Sequence, residues 1–340
     1  MSSDYRLKEI VLQGTTRADL ESLPLPARAE LLSFPEMIVL IDQIAEMASP
    51  PETIHFDGFD PGSETDRLVE YARVRRLHPR VRLSRTSLSI DSLEDLAAET
   101  DAVIVIPIES AVSDDGGDSM IRIAEHAALL GLEVEIETLL RPAELFGLPV
   151  LARFIKASDF TSWSIDFLGE PKQRGGILTS RDAARAFSML PKLSLRTKTK
   201  LLIREAPSFR RFLSEQSRRQ TDERITLERA SRFQVMKNRD SLFISRTGEV
   251  TPGRALPLPA GNVRDSEIEA IRARSPLLQA LHDPRQLRGR CGACDMADTC
   301  GGSRARAWRV TRNALAEDPG CFRASARSAQ VLGVQIQPSL

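Results

Sequence analysis

Cysteine is missing from the first 290 positions of this 340-residue chain, and the four that exist stand at 291, 294, 300 and 321. Any thiol centre must therefore be built from the last fifty residues. The chain also lacks net charge: 47 Lys and Arg balance 47 Asp and Glu, so bulk charge points to neither nucleic acid nor a membrane surface. No stretch of about 18 apolar residues occurs, which excludes an ordinary transmembrane helix. The opening segment MSSDYRLKEIVLQG has no apolar signal run. These absences predict a cytoplasmic protein, a compartment where free thiolates are ordinary and structural disulfides are rare. Histidine is scarce: His55, His78, His126 and His282 are the whole supply, and no second histidine stands in sequence reach of His55. No repeat of fixed period occurs.

Apolar and polar residues alternate in short runs over the first two hundred positions. Strands are predicted at 9–13, 53–56, 81–84, 102–107, 133–140 and 162–167. Stretches with a period near 3.6 lie at 35–47, 65–77, 92–99, 119–130 and 142–156 and predict helices. This alternation is the signature of a parallel sheet with right-handed crossovers. Six such units fit an incomplete (β/α)6 barrel of TIM type better than a closed eight-fold one, with sites at the carboxyl ends of the strands. Beyond residue 190 the pattern changes. Residues 193–203 look extended, 207–220 helical, and 230–240 a loop. A hairpin turning at Thr247-Gly248 joins 242–246 to 249–251, followed by a Pro-rich link and two short helical pieces. The division predicted is a barrel over 1–230 and a smaller domain over 231–330.

The cysteine spacing is Cys291-x2-Cys294-x5-Cys300-x20-Cys321. Four thiolates in so short a region suit one [4Fe–4S] cluster, one sulfur to each iron. Gly292, Gly301 and Gly302 sit beside ligands, where glycine lets backbone N–H groups approach sulfur. Seven arginines and two acids between 285 and 312 suit a centre of net negative charge, and Arg304 and Arg306 open the helix after Cys300. Structural zinc is the alternative from spacing alone, since it also takes four cysteines.

The segment LRGRCGACDMADTCGGSRARAWRVTRNALAEDPGC (287–321) closely resembles the C-terminal signature of radical S-adenosylmethionine (SAM) enzymes with SPASM or twitch extensions, in particular the haem-synthesis-like and peptide-maturase-like group. SLFISRTGEVTPGRALPLPAGNVRD (241–265), WSIDFLGEPKQRG (163–175) and REAPSFRR (204–211) are similar to the same family. The resemblance implies a partial barrel and an auxiliary [4Fe–4S] cluster held by Cys291, Cys294, Cys300 and Cys321. With no further cysteines, it implies one cluster.

The family's SAM-cleaving cluster uses a Cys-x3-Cys-x2-Cys loop after the first strand. The matching segment here, Thr15 to Leu25, contains none of these cysteines. The family's Gly-Gly-Asp/Glu-Pro turn, which meets the SAM amino group, is also altered. The chain reads His55-Phe56-Asp57-Gly58-Phe59-Asp60-Pro61, with Phe59 in place of a glycine. Gly58, Asp60 and Pro61 remain as the SAM-like turn, which can equally be a plain strand-to-helix turn. His55, Asp57 and Asp60 are the catalytic candidates near this strand end.

Glu109, Ser110 and the run from 113 to 118 do not match a calcium loop. Glu133, Glu135 and Glu137 share a face, and facing inward they demand arginine partners or a polar cavity. Trp163 and Trp308 read as core. The arginines and acids of 204–232 read as a salt-bridged surface.

Two classes of function fit. One is a radical SAM/SPASM homologue without the SAM-cleaving cluster ligands, an accessory, docking or electron-relay component in peptide or small-molecule modification. An intact radical SAM enzyme or a precursor peptide would be its partner. The other is an enzyme using the barrel cavity, with SAM or another ligand. A metal that only staples the fold is a third reading.

Overall fold

The computed structural model describes residues 7–16, 21–24, 27, 30–59, 62–83, 90–99, 102–108, 117–158, 160–168, 178–194, 198–217 and 232–323. Asp60, Pro61, Glu109, Ser110 and the run from 111 to 116 lie outside them.

Strands β1 (Glu9–Gln13), β2 (Thr53–Phe59), β3 (Pro79–Leu83), β4 (Val103–Pro107), β5 (Val134–Leu139), β6 (Ser162–Asp166), β7 (Lys200–Arg204) and β8 (Phe233–Val235) follow one another in parallel. Strand β9 (Ser241–Ile244) returns to lie parallel to β1 on its other side. Strands β10 (Glu249–Thr251) and β11 (Gly261–Asn262) then fold back antiparallel. One open sheet results, in the order β11-β10-β9-β1-β2-β3-β4-β5-β6-β7-β8.

The incomplete barrel read from the sequence is present, extended by three further parallel strands. Residues 193–203 are not extended throughout. Helix Ser180–Ser194 runs first, and β7 starts only at Lys200. Its buried residues Ala183, Ala186, Phe187, Leu190 and Leu193 recur every three to four positions, so packing carries the helix through Pro191. The 230–240 stretch is not all loop either, since β8 pairs with β7 through Phe233 and Val235. The hairpin at Thr247-Gly248 is present as β9 and β10.

Helices α1 (Phe34–Ala45), α2 (Ser63–Val74), α3 (Ile90–Glu99), α4 (Gly117–Leu129), α5 (Leu148–Ala157), α6 (Ser180–Ser194) and α7 (Phe209–Ser217) cover the outer face. At the start of α1, Glu36 accepts the Ser33 N–H at 2.8 Å, and Pro35 fills the first turn. Outward strand residues such as Ile54, Phe56, Ile104, Ile136, Trp163 and Ile203 are fully buried against these helices. Alternate residues point inward, and many of them are charged. After β11 come α8 (Ile268–Arg274), α9 (Pro276–His282), a helical turn at Gly289–Gly292 and α10 (Arg304–Thr311). Among the described residues no helix is long and apolar enough to cross a membrane.

Candidate functional site

The strand register decides which polar side chains meet inside the barrel. Gln13, Asp57 and Arg82 stand side by side across β1, β2 and β3, and Glu137 and Ser164 across β5 and β6. Arg204 at the end of β7 reaches across to β1 and grips Glu9 with two bonds, 2.6 and 2.9 Å, while its Nε donates to Ser164 at 2.9 Å. Arg80 pairs with Glu135, which also accepts from Ser162 at 2.8 Å. Arg82 bridges Glu137 at 2.6 Å and Asp57 at 3.2 Å. Burial alone would raise the pKa of Glu9, yet Arg204 and His55 hold it far below the carboxylate range. Glu135 and Glu137 thus face inward and are answered by arginine, whereas Glu133 is exposed.

His55 is buried in this network. Its Nε2 lies 3.3 Å from Glu9 and 3.2 Å from Thr53 Oγ1, and burial lowers its pKa. It is packed against Glu9 and Thr53. Asp57 is held by Arg254 at 2.6 Å and by Arg82. Burial opposes its ionisation, but the two guanidiniums outweigh it and lower the pKa. Gly58 has φ +74° at a register shift between β2 and β3, a bulge that only glycine adopts easily. Phe59 is nearly buried, edge-to-face with Phe56 at 5.6 Å, and its ring lies where a Cβ on Gly14 would stand. Phe59 therefore closes over the backbone just past β1.

The cysteine region forms a second centre. Every thiol has an N–H donor. Asp318 N–H reaches Cys291 Sγ at 3.3 Å, with Arg304 Nη2 at 3.5 Å. Arg211 Nη1 reaches Cys294 Sγ at 3.2 Å. Cys300 accepts from the Gly302 backbone and Cys321 from that of Arg323. Gly302, at φ +69°, lies between a thiol and Asp318: an added Cβ would stand 3.1 Å from Cys291 Sγ and 2.7 Å from Asp318 Cβ. Burial pushes the Cys300 thiol up to about 12 and raises those of Cys291 and Cys321. Among the described residues, no three His, Cys, Asp or Glu side chains converge where one metal ion would sit. A cubane asks for no such convergence, because each sulfur meets a different iron. The donor set, the close glycine and the basic surroundings fit an iron–sulfur cluster.

A seam joins the two centres. Arg306, paired with Asp318, donates to the carbonyls of Glu205 at 3.1 Å and Phe167 at 3.5 Å, and Arg309 to that of Leu168 at 2.8 Å. These carbonyls lie just past the carboxyl ends of β6 and β7. Ser303 Oγ donates to Glu205 at 2.5 Å, and Glu205 itself has φ +55°. Burial first, then neighbouring Asp166, raises the Glu205 pKa to about 7. Arg304 faces Cys291 as the charge pattern predicts, whereas Arg306 turns to the barrel.

Sequence reasoning did not single out Glu9, Arg80, Arg82, Arg204, Glu205 or Asp318 as site residues, and its reading of Arg204 and Glu205 as part of a salt-bridged surface is corrected: Arg204 ends a strand and reaches across the barrel to Glu9, and Glu205 accepts from Ser303. The signal for the first four was charge at alternate positions of otherwise apolar strands, as in EIVLQ, PRVRL and KLLIR.

No family model matches the chain. An AdoMet-dependent heme synthase from Oleidesulfovibrio alaskensis is 24% identical over 324 residues, covering 90% of this chain and 82% of that protein. One from Methanosarcina barkeri is 39% identical over 80 residues, a match spanning 24% of this chain and 23% of its own length. Streptococcus suis SuiB bound to precursor peptide SuiA has the same fold at a TM-score of 0.66 and 12% identity, covering 94% of this chain and 76% of SuiB. Similarity to the heme synthase over most of both chains, together with the shared half-barrel, supports a radical SAM superfamily protein.

Proposed function

We propose that this chain is a radical SAM homologue that holds one C-terminal [4Fe–4S] cluster and works without the SAM-cleaving one. Cys291, Cys294, Cys300 and Cys321 would hold the cluster, which when bound supplies one-electron chemistry. The carrying observation is selective retention. The first 290 residues contain no cysteine, whereas each of the four C-terminal thiols keeps an N–H donor. In this reading the cluster-bearing unit falls in 231–330 and the barrel in 1–230, with β8 and β9 of the former joining the barrel sheet. The role is that of an accessory, docking or electron-relay component in small-molecule or peptide modification. The heme synthase relatives support the first substrate class, and the peptide-bound SuiB fold the second.

The rival reading, an enzyme working from the barrel lumen, has less support. His55 and Asp57 are committed to Glu9, Arg82 and Arg254, and Phe59 covers Gly14.

Anaerobic reconstitution followed by iron, sulfide and zinc analysis tests the proposal. About four irons per chain, a cubane spectrum and no 5′-deoxyadenosine on incubation with SAM and dithionite are expected. Roughly eight irons, bound zinc in place of iron, or 5′-deoxyadenosine formation would overturn it.

A further inference from the structure

A cleft open to solvent lies where the chain leaves β8 and meets the cysteine loop. Lys237, Arg239, His282 and Arg304 line it together with Leu281, Leu287 and Cys300; one acid, Asp298, also lies on its wall. The cations are not equivalent. Arg304 is committed to Cys291 Sγ and to the carbonyls of Ala314 and Ala316, so its charge answers the thiolates. Arg239 is fixed by the Asp298 carbonyl at 2.6 Å. The Lys237 ammonium, half-buried, has no hydrogen-bond or ion-pair partner among the described residues. Desolvation, then Arg239 and Arg210, disfavour its charge, while Asp240 favours it.

A half-buried ammonium with a guanidinium beside it is a receptor for an anion, since the incoming charge relieves both the desolvation and the repulsion. Leu281 and Leu287 supply an apolar wall, which inorganic anions cannot use. The carboxyl end of a strand in a parallel sheet is also where ligands of such folds bind.

We infer that this cleft binds an organic carboxylate with an apolar body, its charged end on Lys237 and Arg239 and its body beside Cys300. This deepens the cluster assignment and rests on it only for the ligand's nearness to iron.

The reconstituted full chain is titrated calorimetrically with 4-phenylbutyrate, its neutral analogue 4-phenylbutanol, inorganic phosphate, and a short peptide with a free or an amidated C-terminus. The butyrate should bind and the alcohol should not, and Lys237→Met should weaken binding about tenfold or more, the scale of a charge-assisted hydrogen bond. Preference for the free over the amidated peptide would name a chain terminus as the source of the carboxylate; butyrate binding with no peptide binding would name a small acid. Equal binding of butyrate and butanol, phosphate binding alone, no heat from any probe, or an unaffected Lys237→Met variant would overturn the inference. In the same sample, butyrate should alter the EPR spectrum of the reduced cluster. Failure of iron loading strikes the cluster assignment, whereas failure of the calorimetry strikes the cleft.

Discussion

Arg306 and Asp318 form an ion pair closed off from solvent, at 2.7 Å between Nε and Oδ1 and 3.0 Å between Nη2 and Oδ2, with side-chain exposures of 1% and 0%. Each partner also works elsewhere. Arg306 ties α10 to the carboxyl ends of β6 and β7, while Asp318 accepts from the backbones of Ser303 and Gly320 and donates its own N–H to Cys291 Sγ. The pair couples the thiol loops to the barrel. Arg306→Met leaves Asp318 charged, buried and unpaired, a loss of about 3–5 kcal/mol. Denaturant unfolding should show that loss, with lower iron retention after reconstitution. An unchanged midpoint would mean the loops do not depend on the pair.

Glu205 gives the seam a pH dependence. Its folded pKa of about 7 lies above that of a free carboxyl, so the folded state binds the extra proton. The sign follows: its contribution to stability is complete below about pH 4.3 and is lost as pH rises through about 7. Glu205→Gln keeps an acceptor for Ser303 and removes the titration. Between pH 5 and 8 the variant should gain on the parent by up to about 2 kcal/mol, read from thermal unfolding at each pH. Parallel profiles would show that Glu205 is solvated.

The Glu9–Arg204 pair behaves oppositely. The Glu9 pKa is depressed, so its stabilisation is present above about pH 4.3 and lost as pH falls below that value. Arg204→Met strands the carboxylate inside the barrel and should cost about 3–5 kcal/mol at pH 7. Adding Glu9→Gln should recover part of that loss, because the remaining polar group is neutral and can still meet His55 by hydrogen bonding. A double-mutant cycle with no coupling would contradict the pairing.

The strands with an apolar outer face were legible because burial against helices demands Ile, Leu or Val at alternate positions, as at Ile54 and Phe56. Strand β8 was not, since its three residues are paired on one side only and sit among polar neighbours. The four thiols were legible from spacing. Their donors were not, because Arg211 stands 83 residues before Cys294 and Asp318 stands 27 after Cys291. Likewise His55 and Asp57 looked available at a strand end until Glu9, Arg82 and Arg254, from distant segments, were seen to hold them.

Arg211 offers the most selective test of the thiol centre. It stands on α7 of the barrel, held by Glu215 at 2.9 Å and by Asp295, and donates to Cys294 Sγ at 3.2 Å. Donors of this kind tune metal sites without ligating them, and their loss lowers metal affinity by about 10–100-fold. Arg211→Gln should therefore fold with an unchanged far-ultraviolet spectrum, load iron anaerobically, and release it to a chelator about tenfold faster than the parent. Arg73→Gln, whose partner Glu70 lies on the exposed side of α2 far from the thiols in sequence, is the matched loss of a surface guanidinium. Equal release rates from both variants would mean that Cys294 does not need the Arg211 hydrogen bond to keep its iron.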